Sequence, residues 1–194
     1  MTDFEIILID KQGKLAQAWR THFINTPIKI ITGDILKVKT DAIVSPANSF
    51  GFMDGGIDAL YTNYFGLDLQ KRLQETIKEK YNGELCVGSA EIINTNKNPK
   101  WLICAPTMRT PQSISETTNS YLAFRAILFS IKKHNEISQD KINTIVCPGL
   151  GTGAGEMSTE KCARQMRIAY NNFINPSFPK SILDAQNIED MIKY

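Results

Sequence analysis

Two short apolar runs, Ile28–Ile31 and Ala42–Val44, each end in a polar loop rich in glycine. The first loop carries Gly33-Asp34; the second carries Asn48, Gly51 and then Asp54-Gly55-Gly56-Ile57-Asp58. Much later another apolar run, Thr144–Cys147, leads into Pro148-Gly149-Leu150-Gly151-Thr152-Gly153-Ala154-Gly155. Alternating glycines remove side chains where an anion must approach the backbone, and the exposed amides then serve as donors without a lysine. Asp34, just past a buried strand, can accept a hydrogen bond from an exocyclic amine such as that of adenine, or it can cap local backbone. Asp58, at the head of a helix, can orient or deprotonate a water, or it can simply complement the helix dipole. For any one glycine here, a turn at positive φ is a sufficient account. For a cluster that opens a helix between strands, phosphate or ribose contact is the better one.

Better-known glycine loops fit poorly. No Gly-Lys-Ser/Thr follows, so this is not a Walker loop. Gly149, Gly151 and Ala154 match the spacing of a dinucleotide fingerprint, but no strand with a ribose-binding acid follows in the last forty residues or so.

The elements that must position these loops read as alternating strands and helices. Phe4–Ile9 is a continuous apolar run, and Gly13–Phe23 places Leu15, Ala18, Trp19 and Phe23 at helical spacing. Ile28–Ile31 and Ala42–Ser45 are strands; Ile57–Phe65 and Asp68–Tyr81 are helices parted by Gly66 as a C-cap. Cys86–Asn94 and Lys100–Ala105 read as strands joined by a polar turn. Ser113 to Glu116 has capping-box spacing for a helix running to about His134, whose ring near the helix end reads as a cap. Ile142–Cys147 is the last strand, and Ser158 caps a helix over 159–174 with Met166, Tyr170 and Phe173 on its core stripe. Residues 175–194 read as a short packed helix or a frayed tail. The expected fold is α/β, a three-layer α/β/α sandwich around a mixed, largely parallel sheet. One domain, 1–194, is expected: residues 1–27 as a strand–helix extension, 28–174 as the core and 175–194 as the tail. In such folds ligands bind beyond the carboxyl ends of the strands, where all of the loops above converge.

Composition excludes little and is ordinary for a soluble chain: 42% hydrophobic, 22% charged, net charge +2. That balance implies no strong field for nucleic acid. No apolar run approaches the ~20 residues of a membrane span, and the acidic start of MTDFEIILID is not that of a signal peptide. Cys86, Cys104, Cys147 and Cys162 have no paired spacing, and with two histidines a zinc site is not expected. Cys104 and Cys147, inside apolar runs, read as small buried hydrophobes, and a reduced, cytoplasmic setting is expected. Acids near the glycine loops are too few to hold Mg²⁺, so neither a metal nor a cofactor is expected.

Taken together, Gly33-Asp34-Ile35, Asp41-Ala42-Ile43-Val44, Ser45-Pro46-Ala47-Asn48, Gly55-Gly56-Ile57-Asp58 and Gly149-Leu150-Gly151-Thr152-Gly153 resemble the motif series of the macro domain, the ADP-ribose-binding module. The resemblance covers roughly Ile28 to Phe173. It implies that Asp34 selects adenine, with Ile35 beside it, and that Gly55, Gly56 and Ile57 face the ligand. It implies that the loop from Pro148 to Gly155 clasps the diphosphate and distal ribose, so that Gly151→Glu should abolish binding and spare the fold. Among members that hydrolyse ADP-ribosyl bonds, the residue matching Asn48 contacts the distal ribose and the one matching Asp58 lies near the attacking water. The chain departs from the pattern at Ser45, where the first Asn stands, at Thr62, where many members have His, and at Gly155, where many have an aromatic that packs on the ribose. This marks a divergent branch. Phe50 and Phe52 are the candidates to replace that aromatic, with a core position as the alternative for both. Arg109, in a loop between Pro106 and Pro111, either reaches an anionic ligand or is solvated. The resemblance implies a partner that is ADP-ribose or an ADP-ribosylated protein, metabolite or nucleic acid, the last only as a modified substrate. It leaves two functions open: hydrolysis of an ADP-ribosyl glycosidic bond, or non-catalytic reading of ADP-ribose or a related nucleotide.

Overall fold

The alternation of buried residues along the strands decides the architecture. In the computed structural model, which describes residues 2–194, Ile6 and Leu8 face one side of the sheet while Ile7 and Ile9 face the other. Strands buried on both faces read as unbroken apolar runs, and a sheet of them needs helices above and below.

The elements in order are β1 (Glu5–Asp10), α1 (Lys14–His22), β2 (Lys29–Thr32), β3 (Ala42–Ser45), α2 (Gly56–Phe65), α3 (Asp68–Tyr81), β4 (Glu91–Asn94), β5 (Trp101–Cys104), α4 (Asn119–Ile137), β6 (Thr144–Cys147), α5 (Thr159–Ile174) and α6 (Ile182–Lys193). The strands form one sheet of six in the order β2-β1-β6-β3-β5-β4. Among the described residues only the β4–β5 pair is antiparallel. On one face Trp19, Phe124, Ile127 and Met166 of α1, α4 and α5 pack on Leu8, Val44 and Ile145. On the other Tyr61, Phe65, Leu69, Leu73 and Ile77 of α2 and α3 pack on Ile43, Leu102 and Val146. This is the three-layer α/β/α sandwich with a mixed, mostly parallel sheet.

Several local expectations change. β1 lies inside the sheet, hydrogen-bonded to β2 and to β6. The run from Cys86 becomes a strand only at Glu91, and Cys86 is exposed. No capping box forms at Ser113: α4 starts at Asn119, Thr118 makes no side-chain cap, and Ile114 is 1% exposed. That segment turns inward because Ile114 has a better use beneath a loop described below. Residues 182–193 are helical, capped by the Ser181 hydroxyl, and Ile192 is the residue that α6 buries.

Candidate functional site

In a parallel sheet every strand delivers its chain to the same edge. Here Asp10 and Lys11 leave β1, Gly33 and Asp34 leave β2, Pro46 leaves β3, Thr107 lies just past β5 and Pro148 leaves β6. All of them line one cavity of about 730 Å³. Its walls are the Asn48–Asp58 loop with the start of α2, and the Pro148–Gly155 loop.

Both walls present backbone donors. Among the described residues, the amides of Asp54, Gly55, Gly56 and Ile57 make no hydrogen bond within the chain, and neither do those from Gly149 to Gly155. The first set is the open N-terminus of α2, where the helix dipole adds positive potential. Backbone donors left unpaired in native proteins usually have another partner, and two such runs facing one cavity suit an anion of two phosphates. Among the described residues, the lining carries one cation, Lys11, against Asp10, Asp34, Asp54 and Asp58. Phosphate would therefore be held by amides rather than by side-chain charge.

The glycine loop is bolted from beneath. Ile114 N donates to Gly155 O at 2.8 Å, Met157 N to Gly151 O at 3.0 Å, and Ser120 Oγ to Leu150 O at 2.7 Å. Gly151 has φ +77°, and a Cβ there would stand 2.4 Å from Ile114 Cδ1. A Cβ on Gly155 would meet Gly151 O at 2.6 Å, so an aromatic does not fit this backbone. Gly151 is thus a poor place for a substitution meant to block the cavity, because its side chain would enter the core. Gly153 is exposed with nothing within 4 Å of its Cβ. Leu150, expected at the ligand, is buried and lines no part of the cavity. Pro148, Gly149, Thr152 and Ala154 do line it.

At one end of the cavity Asp34 Oδ1 accepts from Leu36 N at 3.0 Å, capping a short turn whose Ile35 is buried. One Asp34 oxygen thus caps local backbone, and the exposed carboxylate also lines the cavity. At the other end Asn48 is largely consumed by its own loop. Its Oδ1 accepts from Phe50 N (3.1 Å) and Phe52 N (3.3 Å), and its Nδ2 donates to Phe52 O (2.8 Å). Met53 is anchored by Gln70 and Thr62, which leaves Phe52 52% exposed in the cavity wall. Phe50 does not line the cavity; it packs against the Arg109 guanidinium, 4.9 Å from its ring. Arg109 in turn forms a fork with Glu84 (2.9 and 3.1 Å) and lies outside the cavity lining.

Asp58 lines the cavity yet is 7% exposed, and it accepts a 2.5 Å hydrogen bond from Ser45 Oγ, which is fully buried. Burial lifts its pKa from 3.8 to about 6; the Ser45 hydroxyl opposes the rise and Asp54 adds to it. The Ser45–Asp58 pair was not foreseen, and the one signal for it was the small hydroxyl where the motif has an amide. A hydrogen bond to a charged group stabilises by about 1.5–3 kcal/mol, so Ser45→Ala should move the Asp58 midpoint up by about one unit. The ¹³C carboxyl shift followed through a pH titration reads this; a midpoint that stays or falls means the hydroxyl does not hold the anion. Among the described residues no group of three or more His, Cys, Asp or Glu could hold a metal ion, and no helix is long and apolar enough to cross a membrane.

The macro domain family model matches residues 44–166. An uncharacterized protein of Aquifex aeolicus is 33% identical over 158 residues, covering 80% of this chain and 88% of that one. One from Aeropyrum pernix is 27% identical over 157 residues, covering 80% and 76%. Among solved structures, the Oceanobacillus iheyensis macrodomain with ADP has a TM-score of 0.62 at 22% identity, covering 84% of this chain and 87% of that one. The macrodomain of Mycobacterium tuberculosis DarG has a TM-score of 0.61 at 22%, covering 73% and 88%. Thermosipho africanus DarTG in complex with ADP-ribose has 0.57 at 16%; the match covers 88% of this chain and 51% of that one. At these identities the structures share a fold with this chain, whereas the family match and the Aquifex relative reach further: the chain belongs to the macro domain family.

Proposed function

We propose that the protein binds ADP-ribose in this cavity and hydrolyses an ADP-ribosyl bond there. The observation that carries the reading is the pair of unbonded amide runs, at the start of α2 and along Gly151–Gly155, lining one cavity with a carboxylate at each end. The diphosphate lies between the runs, adenine lies toward Asp34 and Ile35, and the distal ribose lies toward Asn48, Phe52 and Asp58. Asp58 orients or deprotonates the water that attacks the anomeric carbon, the task a carboxylate has in glycoside hydrolysis generally. A pKa of about 6 suits a base that works near neutrality. Asn48 shapes the wall by holding Phe52, and the Nδ2 hydrogen not used on Phe52 O is left to donate to a ribose hydroxyl.

A second reading, a reader of ADP-ribose without turnover, is favoured by one observation: the Asn48 amide is engaged at both ends by its own loop. Release of ADP-ribose from modified protein, nucleic acid and small-molecule substrates under single turnover separates the two. Binding without release from any of them leaves the reader.

Adenine selection has its own test. Calorimetry with ADP-ribose and its guanine and hypoxanthine analogues should show wild-type preference for adenine and a loss of that preference in Asp34→Ala. Equal affinity for all three in the wild type would remove Asp34 from the recognition of the base.

A further inference from the structure

The two ends of the cavity differ in how their charge is met. At the Asp34 end, Asp10 Oδ2 accepts from Leu15 N at 3.1 Å, Asp34 Oδ1 accepts from Leu36 N, and Lys11 follows Asp10 into the lining. Gly33 N donates to Asp10 O at 3.2 Å, which ties these two loops together. The other end holds Asp54 and Asp58 and, among the described residues, no Lys, Arg or His. Asp58 N donates to Gly55 O at 3.1 Å, so a single turn of chain separates the two acids, and the Asp54 charge adds to the rise in the Asp58 pKa. Asp58 is more than nine-tenths buried; Ser45 serves its Oδ1, and no donor among the described residues serves its Oδ2. A buried carboxylate oxygen left without a partner is costly unless a ligand meets it.

A fixed aromatic stands in the same wall. The Asn48 amide holds Phe52 through both its N–H and its carbonyl. The next residue is held at both ends too: Met53 N donates to Gln70 Oε1 and Met53 O accepts from Thr62 Oγ1, each at 2.7 Å. Thr62 lies on α2 one turn past Asp58, so this bond fastens the Phe52–Asp54 segment to the helix that carries Asp58. The Phe52 side chain is left half exposed in the lining. Two acids without a counter-ion beside a presented ring supply both the charge and the π face that a planar cation takes.

We propose that the group joined to the distal ribose is a planar cation linked through nitrogen, either the guanidinium of ADP-ribosylated arginine or the pyridinium of NAD⁺. The inference rests on the ADP-ribose reading of the cavity. Leaving-group chemistry agrees with it. An oxygen-linked acceptor must be protonated as it departs, and this end has, among the described residues, no His, Cys, Tyr or Lys to do so while Asp58 is engaged with the attacking water. A carboxylate leaving group needs no acid, but its charge would develop beside two acids. A cation meets neither obstacle. Water adds to the anomeric carbon and gives a proton to Asp58, and the carbon–nitrogen bond breaks with its electron pair going to nitrogen. A pyridinium leaves as the neutral pyridine, and the Asp58 proton passes to solvent. A guanidinium leaves as the neutral guanidine and takes that proton.

The test compares each cation with a neutral counterpart. Affinities for NAD⁺, NADH, ADP-ribosyl-arginine, ADP-ribosyl-serine and free ADP-ribose are read by rapid competition, before turnover accumulates. Wild type should prefer NAD⁺ to NADH, or the arginine conjugate to the serine conjugate, about tenfold, the order expected from one exposed ion pair and one cation–π contact. Which of the two pairs shows the preference identifies the source of the cation. Asp54→Asn and Phe52→Leu should each cut that ratio about threefold, whereas general damage to the cavity would weaken both members of a pair alike. Ratios near one for both pairs in the wild type overturn the cation, as do ratios that neither variant changes. Failure of the wild type to bind free ADP-ribose overturns the cavity reading and this one with it.

Discussion

Asp58→Asn will be more stable than the wild type at pH 7.5 and close to inert in ADP-ribosyl hydrolysis. The folded carboxyl titrates at about 6 against 3.8 for the ordinary group. A folded-state pKa above the unfolded one means the native state holds the proton longer, so stability falls as pH climbs between those values. Above pH 6 the ionised group costs about 3 kcal/mol of folding free energy. Asn keeps the shape, can still accept from Ser45 Oγ, and carries no charge to desolvate. Its melting temperature should exceed that of wild type by several degrees at pH 7.5, and the gap should close by pH 4, where the wild-type carboxyl is largely protonated in the native state. Turnover should fall about 10²–10⁴-fold, the usual contribution of a positioned general base, with ADP-ribose affinity little changed. The wild-type rate should rise with pH through about 6. Equal melting curves at pH 7.5 would show that the carboxylate is better solvated than its burial indicates. An unchanged rate in the variant would leave Asp58 as a helix-end acid.

The second large effect separates two glycines two residues apart. Gly153→Glu should fold normally and lose ADP-ribose binding, because its Cβ meets nothing within 4 Å and its side chain is free to enter the cavity. Two like charges about 5 Å apart at an effective dielectric of about 20 repel by about 3 kcal/mol, on the order of 100-fold in affinity. Gly151→Glu should instead destabilise the protein by about 2–4 kcal/mol, since it combines a left-handed backbone with displacement of Ile114. Thermal melts and calorimetry on both variants check the pair. Normal ADP-ribose binding by a folded Gly153→Glu would place the diphosphate elsewhere.

What was legible in the sequence followed from periodicity and punctuation. The apolar spacing of Leu69, Leu73 and Ile77 marked α3 to the residue, and Ser158 marked the start of α5. The glycine loops identified the edge of the sheet where the cavity lies, because a loop after a parallel strand has only one place to go. The direction of individual side chains was not legible. Gly151 and Gly153 look alike in sequence, yet one faces Ile114 and the other faces open space. Ser113 to Glu116 had the spacing of a capping box, but burying Ile114 under the loop outweighs a local cap. Arg109 had no sequence neighbour to announce Glu84, which is 25 residues away. Asn48 was placed in the right wall, but the bonds it makes with Phe50 and Phe52 depend on a loop path that no local pattern encodes.

The place of β6 in the sheet bears on how the chain folds. It is the sixth strand in sequence, yet it stands between β1 and β3, pairing Glu5 with Thr144 on one side and Ala42 with Ile145 on the other. Before it arrives, β1 and β2 form one ribbon and β3, β5 and β4 another, with no hydrogen bond joining strand to strand between them. Closing the sheet therefore waits on contacts about 140 residues apart in sequence, which favours slow folding dominated by non-local pairing. On the ribosome the two ribbons are exposed until Thr144–Cys147 has emerged. A nascent chain stalled before that point should be protease-sensitive, and one stalled some way after α5 should not.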